Sequence, residues 1–116
     1  MNITIYGIPN CDTVKKASGW FKQQAISYSF YDYKQAGISK EKLISWCRLV
    51  GWEVLLNKKS TTWRNLSPAE QLAVTNQQAA VTLMQQHTSI IKRPVIEYNG
   101  KLLVGFNENT IIKFFQ

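Results

Sequence analysis

Within its first 33 residues the chain writes a strand, a sharp break, a helix and a second strand, an order that leaves little choice of architecture. Ile3, Ile5 and the intervening Thr4 and Tyr6 read as a buried strand, and Gly7-Ile8-Pro9-Asn10 stops it. A helix is predicted directly after the break. Asn10 is a suitable N-cap, Asp12 suits the positive first turn, and Val14, Ala17 and Phe21 recur at helical spacing while Lys15, Lys16, Lys22 and Gln23 face outward. The aromatic, alternating segment from Tyr28 to Tyr33 reads as the second strand. Two strands joined by a helix pair in parallel through a right-handed crossover. Cys11 then sits at the mouth of the first helix.

The middle of the chain is helical. Ser39 is positioned to cap a segment whose apolar face is Leu43, Cys47 and Val50, with Gly51 at the exit. Ser67-Pro68-Ala69-Glu70 combines a capping box with proline at the first helical position, and Thr75 with Gln78 offers a second box ahead of Ala80, Leu83, Met84 and His87. After Pro94 strands return: Val95 to Tyr98, the turn pair Asn99-Gly100, then Lys101 to Val104. Asn107 is placed to cap a last helix carrying Ile111, Ile112 and Phe115. The expected α/β fold is therefore β-α-β, helical insert, β-β-α. It makes a single domain over residues 1–116, with a core at about 1–36 and 90–116 and the insert at about 37–89.

Composition narrows the function classes. Charged residues are 18% and aromatic residues 12% of the 116, too much packing material and too little self-repulsion for a disordered chain. No apolar run approaches the ~20 residues that span a bilayer, so no membrane role is expected. The N-terminus shows no basic lead or long apolar stretch, so the expectation is a cytoplasmic protein with reduced thiols. The formal net charge is +7, yet the basic residues come as pairs (Lys15-Lys16, Lys58-Lys59, Lys92-Arg93) rather than as a tail. Direct nucleic-acid binding is not expected from that pattern, whereas an anionic small molecule or an acidic partner stays open. Two cysteines 36 positions apart and one histidine make neither a zinc site nor a C-x-x-C pair, so no metal is expected.

Cys11 is the candidate nucleophile, because the unpaired N–H groups and positive end of a helix favour a thiolate. A free cysteine can also be a small buried hydrophobe, but a loop beside Pro9, Asn10 and Asp12 is a partly exposed place. Cys47 reads the other way, as core packing beside Leu43 and Val50. The residue three beyond Cys11 is Val14, which removes a local disulfide. Lys58, Lys59, Ser60, Thr61, Thr62 and Arg64 crowd polar donors into one stretch that is either an anion cradle or a solvated loop with its own helix cap. His87 reads as a capping or packing residue. Arg93 before Pro94 reads, by itself, as a surface arginine ahead of a strand.

Four segments carry a resemblance over essentially the whole chain: Tyr6 to Ala17 (YGIPNCDTVKKA), Asn57 to Arg64 (NKKSTTWR), Ile91 to Val95 (IKRPV) and Val104 to Asn107 (VGFN). With the element order, they resemble the thioredoxin-like fold and the ArsC/Spx family, specifically its YffB-like branch. The resemblance implies that Pro94 is a cis proline opposite Cys11 and that the Arg93 guanidinium lies beside the sulfur, holding a thiolate or binding an anionic, sulfur-linked substrate. It makes Cys11 and Arg93 the candidate catalytic residues, and Asn10, Lys58, Lys59, Arg64 and Pro94 the candidate substrate-binding residues.

The activity it implies is glutathione-dependent thiol reduction. One nucleophilic cysteine forms a mixed disulfide, and glutathione, as thiol co-substrate, resolves it. The alternative it implies is an Spx-like transcription regulator that binds RNA polymerase, although Val14 removes the C-x-x-C switch of many such proteins. Arsenate reduction fits less well. Arsenate-reducing members carry a histidine where this chain has Gly7 and supply further arginines where it has Asn57 and Gly105, and an oxyanion needs several convergent donors.

Overall fold

The apolar alternation at the start of the chain forms β1 (Ile3–Gly7), which becomes an inner strand of a four-stranded sheet. After it come α1 (Asp12–Gln23), β2 (Ser29–Asp32), α2 (Tyr33–Ala36), α3 (Lys40–Val50), α4 (Trp52–Leu55) and α5 (Thr61–Arg64). The chain continues through α6 (Pro68–Leu72), α7 (Gln77–Gln86), β3 (Val95–Tyr98), β4 (Lys101–Val104) and α8 (Glu108–Phe114). The computed structural model of the chain describes residues 2–115. They fall into two units, residues 2–36 with 93–115, and Gly37–Lys92.

In the first unit the sheet order is β2-β1-β3-β4. β1 and β2 are parallel, with Gly7 opposite Asp32, while β3 runs antiparallel to β1, with Val95 opposite Tyr6. This register brings the end of β1, the end of β2 and the start of β3 to one edge of the sheet. Strand alternation sends Ile3 and Ile5 to the same face, where they meet Ala17 and Phe21 of α1, Ile96 of β3 and Ile111 of α8 in a fully buried cluster. Removing each of the isoleucine and phenylalanine side chains from water stabilises the fold by about 1.5–3 kcal/mol. Phe115 closes the cluster, edge-on to Phe21 at 5.7 Å and stacked on Trp20 at 6.2 Å. The β3–β4 turn has positive φ at both Asn99 (53°) and Gly100 (77°), the two positions where a type I′ hairpin requires it. A parallel pair, an antiparallel hairpin and helices on the sheet make this a thioredoxin-like α/β fold.

The second unit is helical. Ser39 Oγ accepts from the Lys42 amide at 3.1 Å to start α3, and Gly51, at φ 86°, ends it. Leu43, Trp46 and Cys47 are the buried residues of α3, which packs against α4 and α7. The Ser67–Glu70 capping box closes in both directions, at 3.1 and 3.0 Å, with Pro68 at the first helical position. An isolated bridge pairs Leu56 with Ile91, flanked by hydrogen bonds from the Asn57 amide to the Ile90 carbonyl (2.7 Å) and from the Lys92 amide to the Leu55 carbonyl (2.8 Å). Among the described residues no helix is long and apolar enough to cross a membrane.

Three local expectations are corrected. The N-cap of α1 is Cys11 rather than Asn10: Cys11 has extended φ and ψ, and its carbonyl accepts the first helical bond from the Lys15 amide at 3.0 Å. The cap of α7 is Asn76 rather than Thr75, because the Asn76 Oδ1 reaches the Ala79 amide at 2.9 Å. The second strand stops at Asp32, one residue short of Tyr33. The Asp32 Oδ1 accepts from the Lys34 and Gln35 amides at 3.0 and 3.2 Å, and those bonds turn the chain into α2 where β1 offers no further pairing.

Candidate active site at the sheet edge

The loop after β1 is tight. The Cys11 amide donates to the Ile8 carbonyl at 3.3 Å, which folds Gly7 to Cys11 back on itself and presents the cysteine at the first turn of α1. Gly7 makes that approach feasible, since a Cβ there would lie 2.7 Å from Val14 Cγ2, and Val14 is buried. A histidine at position 7 collides with the same methyl group.

Cys11 is partly exposed. Its sulfur faces the Val14 and Thr13 amides of the first helical turn, although no side-chain capping hydrogen bond of ordinary geometry forms. Burial pushes the thiol up, but the Val14 amide, the Arg93 guanidinium and the Thr13 amide outweigh it, and the net effect holds the thiol below its ordinary value. The helix supplies its positive end and the arginine supplies a full charge. The anionic form of an accessible sulfur is thereby favoured relative to an ordinary thiol, which is the direction a nucleophile requires.

Arg93 reaches Cys11 because it opens the last segment of the first unit, immediately ahead of β3. It is half-buried. The Arg93–Pro94 peptide bond is cis, and Pro94 is buried. The Pro94 carbonyl accepts from the Gly105 amide at 2.7 Å, tying this turn to the end of β4. Gly105 stands at φ 84°, a region that an arginine enters only under strain.

The third side chain at this edge is Tyr33, a residue that the sequence reading takes only as the tail of a strand. It is fully buried at the start of α2. The Arg93 guanidinium donates to its hydroxyl as well as to the Cys11 sulfur, so one cation bridges the two groups. Burial pushes the Tyr33 phenol far above its ordinary value, and it stays neutral. A tyrosine beginning a helix at the carboxyl end of a parallel strand, next to a nucleophile's loop, is the signal that could have found it.

The other candidates are placed as follows. Asn10 is exposed in the turn before Cys11. Lys58, Lys59 and Arg64 belong to the second unit and are exposed there. Lys58 and Lys59 join Lys92, Asn57 and Trp52 around an open cavity of about 380 Å³, which Arg64 does not line. Lys58 also lies over the Trp63 ring, 5.6 Å from its centroid. The hydroxyls of this stretch are engaged locally: Ser60 Oγ caps α5 by accepting from the Trp63 amide at 3.2 Å, and Thr62 Oγ1 pairs with Ser89 Oγ at 2.7 Å. Of the two readings of the stretch, the one with its own helix cap describes Ser60. Asn57 shapes the turn, its Oδ1 accepting from the Lys59 amide at 3.1 Å. His87 is the exposed C-cap of α7. Cys47 is buried, and burial first and the Glu53 charge second push its thiol up. Among the described residues no group of three or more His, Cys, Asp or Glu side chains is arranged to hold a metal ion.

This geometry sits within a well-populated lineage. The model of the ArsC family matches residues 6–114. An uncharacterized protein of Haemophilus influenzae is 42% identical over 91% of this chain and 92% of its own length. The global transcriptional regulator Spx of Streptococcus mutans is 23% identical, covering 97% of this chain and 82% of the regulator. Among solved structures, the YFFB protein superposes with a TM-score of 0.90 at 41% identity, covering 96% of each chain. A match of that reach, over the strand, the cysteine loop, the Arg93–Pro94 turn and the last helix alike, means that the chain belongs to the ArsC family.

Proposed function

We propose that the protein is a glutathione-dependent thiol reductase with Cys11 as its single nucleophile. The observation that carries this reading is the partly exposed Cys11 sulfur at the N-terminus of α1, within reach of the Arg93 guanidinium and held below its ordinary titration range. The Cys11 thiolate attacks one sulfur of a disulfide substrate. A sulfur–sulfur bond forms to Cys11 as the substrate's own breaks, and the other substrate sulfur leaves as a thiolate. A glutathione thiolate then attacks the substrate sulfur of the mixed disulfide, and Cys11 leaves as a thiolate, a better leaving group for having its thiol held below the ordinary value. Arg93 serves both steps, by stabilising the anion on Cys11 and by offering donors to a carboxylate of glutathione. Arsenate is a poor substrate in this reading, because Gly7, Asn57 and Gly105 occupy the places from which an oxyanion would need charged donors.

The test is to incubate the purified chain with oxidised glutathione and map the product by peptide mass spectrometry. One glutathione at Cys11, removable by reduced glutathione and absent from Cys11→Ser, is the expected result. An unmodified Cys11, or an internal disulfide formed quantitatively instead, overturns the mechanism. A second reading is favoured by the near full-length alignment with the Spx regulator: a docking module for RNA polymerase. It requires saturable binding to polymerase that survives Cys11→Ser.

A further inference from the structure

Tyr33 lies at the sheet edge that carries Cys11, is fully buried, and shares one guanidinium with the sulfur. Its place is fixed by backbone rather than by chance packing. The β1–β2 pairing ends at Gly7 opposite Asp32, and the Asp32 carboxylate caps α2 through the Lys34 and Gln35 amides, so the backbone is held on both sides of Tyr33. α2 in turn packs on β1 and β2. The charged and titratable groups acting on the Tyr33 hydroxyl are Arg93, Cys11 and Asp32.

An arginine beside a thiolate presents five N–H donors on a long, flexible stem, and an unheld guanidinium would average over many orientations. A carboxylate partner would hold it but would also neutralise part of the field that favours the sulfur anion. A neutral phenol avoids that loss: it accepts one N–H and leaves the whole charge for Cys11.

We propose that Tyr33 is a positioning residue for the nucleophile, its hydroxyl accepting from Arg93 and so aiming the guanidinium at the Cys11 sulfur; the inference rests on the reading of Cys11 as the reactive thiol. Tyr33 acts through Arg93 and touches no substrate. Its contribution therefore exists only while Arg93 is present, which a merely structural tyrosine would not satisfy.

The experiment is the pH profile of iodoacetamide alkylation at Cys11, read by intact mass in a Cys47→Ala background, for Tyr33→Phe, Arg93→Ala and the double variant. Tyr33→Phe keeps the ring that fills the core and removes only the acceptor. It should move the midpoint of the profile upward and slow alkylation near neutral pH by about three- to ten-fold, the range one hydrogen bond carries. In the Arg93→Ala background it should change nothing further. Site-specific 3-fluorotyrosine at position 33, a weaker acceptor on nearly the same ring, should give a smaller shift in the same direction, and it stands in if Tyr33→Phe fails to fold.

A wild-type profile in Tyr33→Phe overturns the proposal, even if the variant melts early, as does an equal slowing with and without Arg93. If Arg93→Ala itself leaves Cys11 unchanged, the activation of the nucleophile and the role of Tyr33 fall together. If Arg93→Ala shifts the profile and Tyr33→Phe does not, only the positioning role falls.

Discussion

The chain holds two cysteines in two kinds of surroundings, one in each unit. Cys11 caps a helix from a loop, facing amides and a guanidinium; Cys47 lies on the packed face of α3 beside Leu43 and Trp46. Burial disfavours the anion at both. At Cys11 the first turn of α1 and Arg93 outweigh that penalty, while at Cys47 the nearby Glu53 adds to it. The opposite shifts are thus set by backbone ends and one cation rather than by the thiol itself, and they make Cys11 the candidate nucleophile of one unit while Cys47 packs as a small hydrophobe in the other.

The sharpest way to break this contrast is to alkylate both thiols at pH 7. Cys11 should react about a hundred-fold faster than Cys47, since one thiol is accessible and partly ionised while the other reacts only on local opening. Comparable rates in a peptide-resolved time course would end the comparison. The pH dependence has a matching sign. The Cys11 profile should have its midpoint below the ~8.5 of an unconstrained cysteine and the Cys47 profile above it. The stability that the lowered Cys11 provides is fully present above the unfolded value and is lost as pH falls through the folded one. Cys47 acts oppositely, favouring the native state less as pH rises past the unfolded value.

Next in size is Gly7→Ala. The new Cβ meets buried, β-branched Val14, and displacing it should destabilise the chain by about 1–3 kcal/mol in denaturant unfolding and also slow Cys11 by moving the first turn of α1. Full stability would show that the loop gives way more easily than its packing indicates. Smaller still, Ser39→Ala should cost about 1 kcal/mol by removing the cap of α3 while leaving the Cys11 profile untouched; a shift at Cys11 would mean that the two environments are not independent. The least effect is expected of Cys47→Ala on glutathione adduct formation at Cys11. A lost or trapped adduct would restore a redox role to Cys47.

The elements that the sequence made legible are those specified by neighbours in the chain. Ser39, the Ser67–Glu70 box, the Asn99-Gly100 turn and Asn107 all satisfy backbone groups within four residues, so their chemistry is written locally. Asn10 and Thr75 failed as caps because in each case the following residue, Cys11 or Asn76, adopts the extended conformation that precedes the helix, and sequence preference does not fix where that conformation falls. Cys11 was legible as the residue at the mouth of α1, whereas its pairing with Arg93 came through the resemblance, which supplied the long-range relation that periodicity lacks. Tyr33 was hidden in an aromatic run. What takes it out of the strand is the Asp32 carboxylate, and what gives it a role is an arginine sixty positions away, neither of which alternation records.

β1, which leads into the nucleophile, has β2 on one side and β3 on the other, and β3 follows the entire helical unit in the chain. A growing polypeptide therefore emerges from the ribosome with Cys11 exposed and its activating arginine not yet made. During that interval the thiol should behave as an ordinary cysteine, and the lowering that Arg93 provides should begin only when the hairpin docks against β1. The interruption of the sheet in sequence thus puts the arginine that lowers the Cys11 thiol on the far side of the helical unit from the cysteine it acts on.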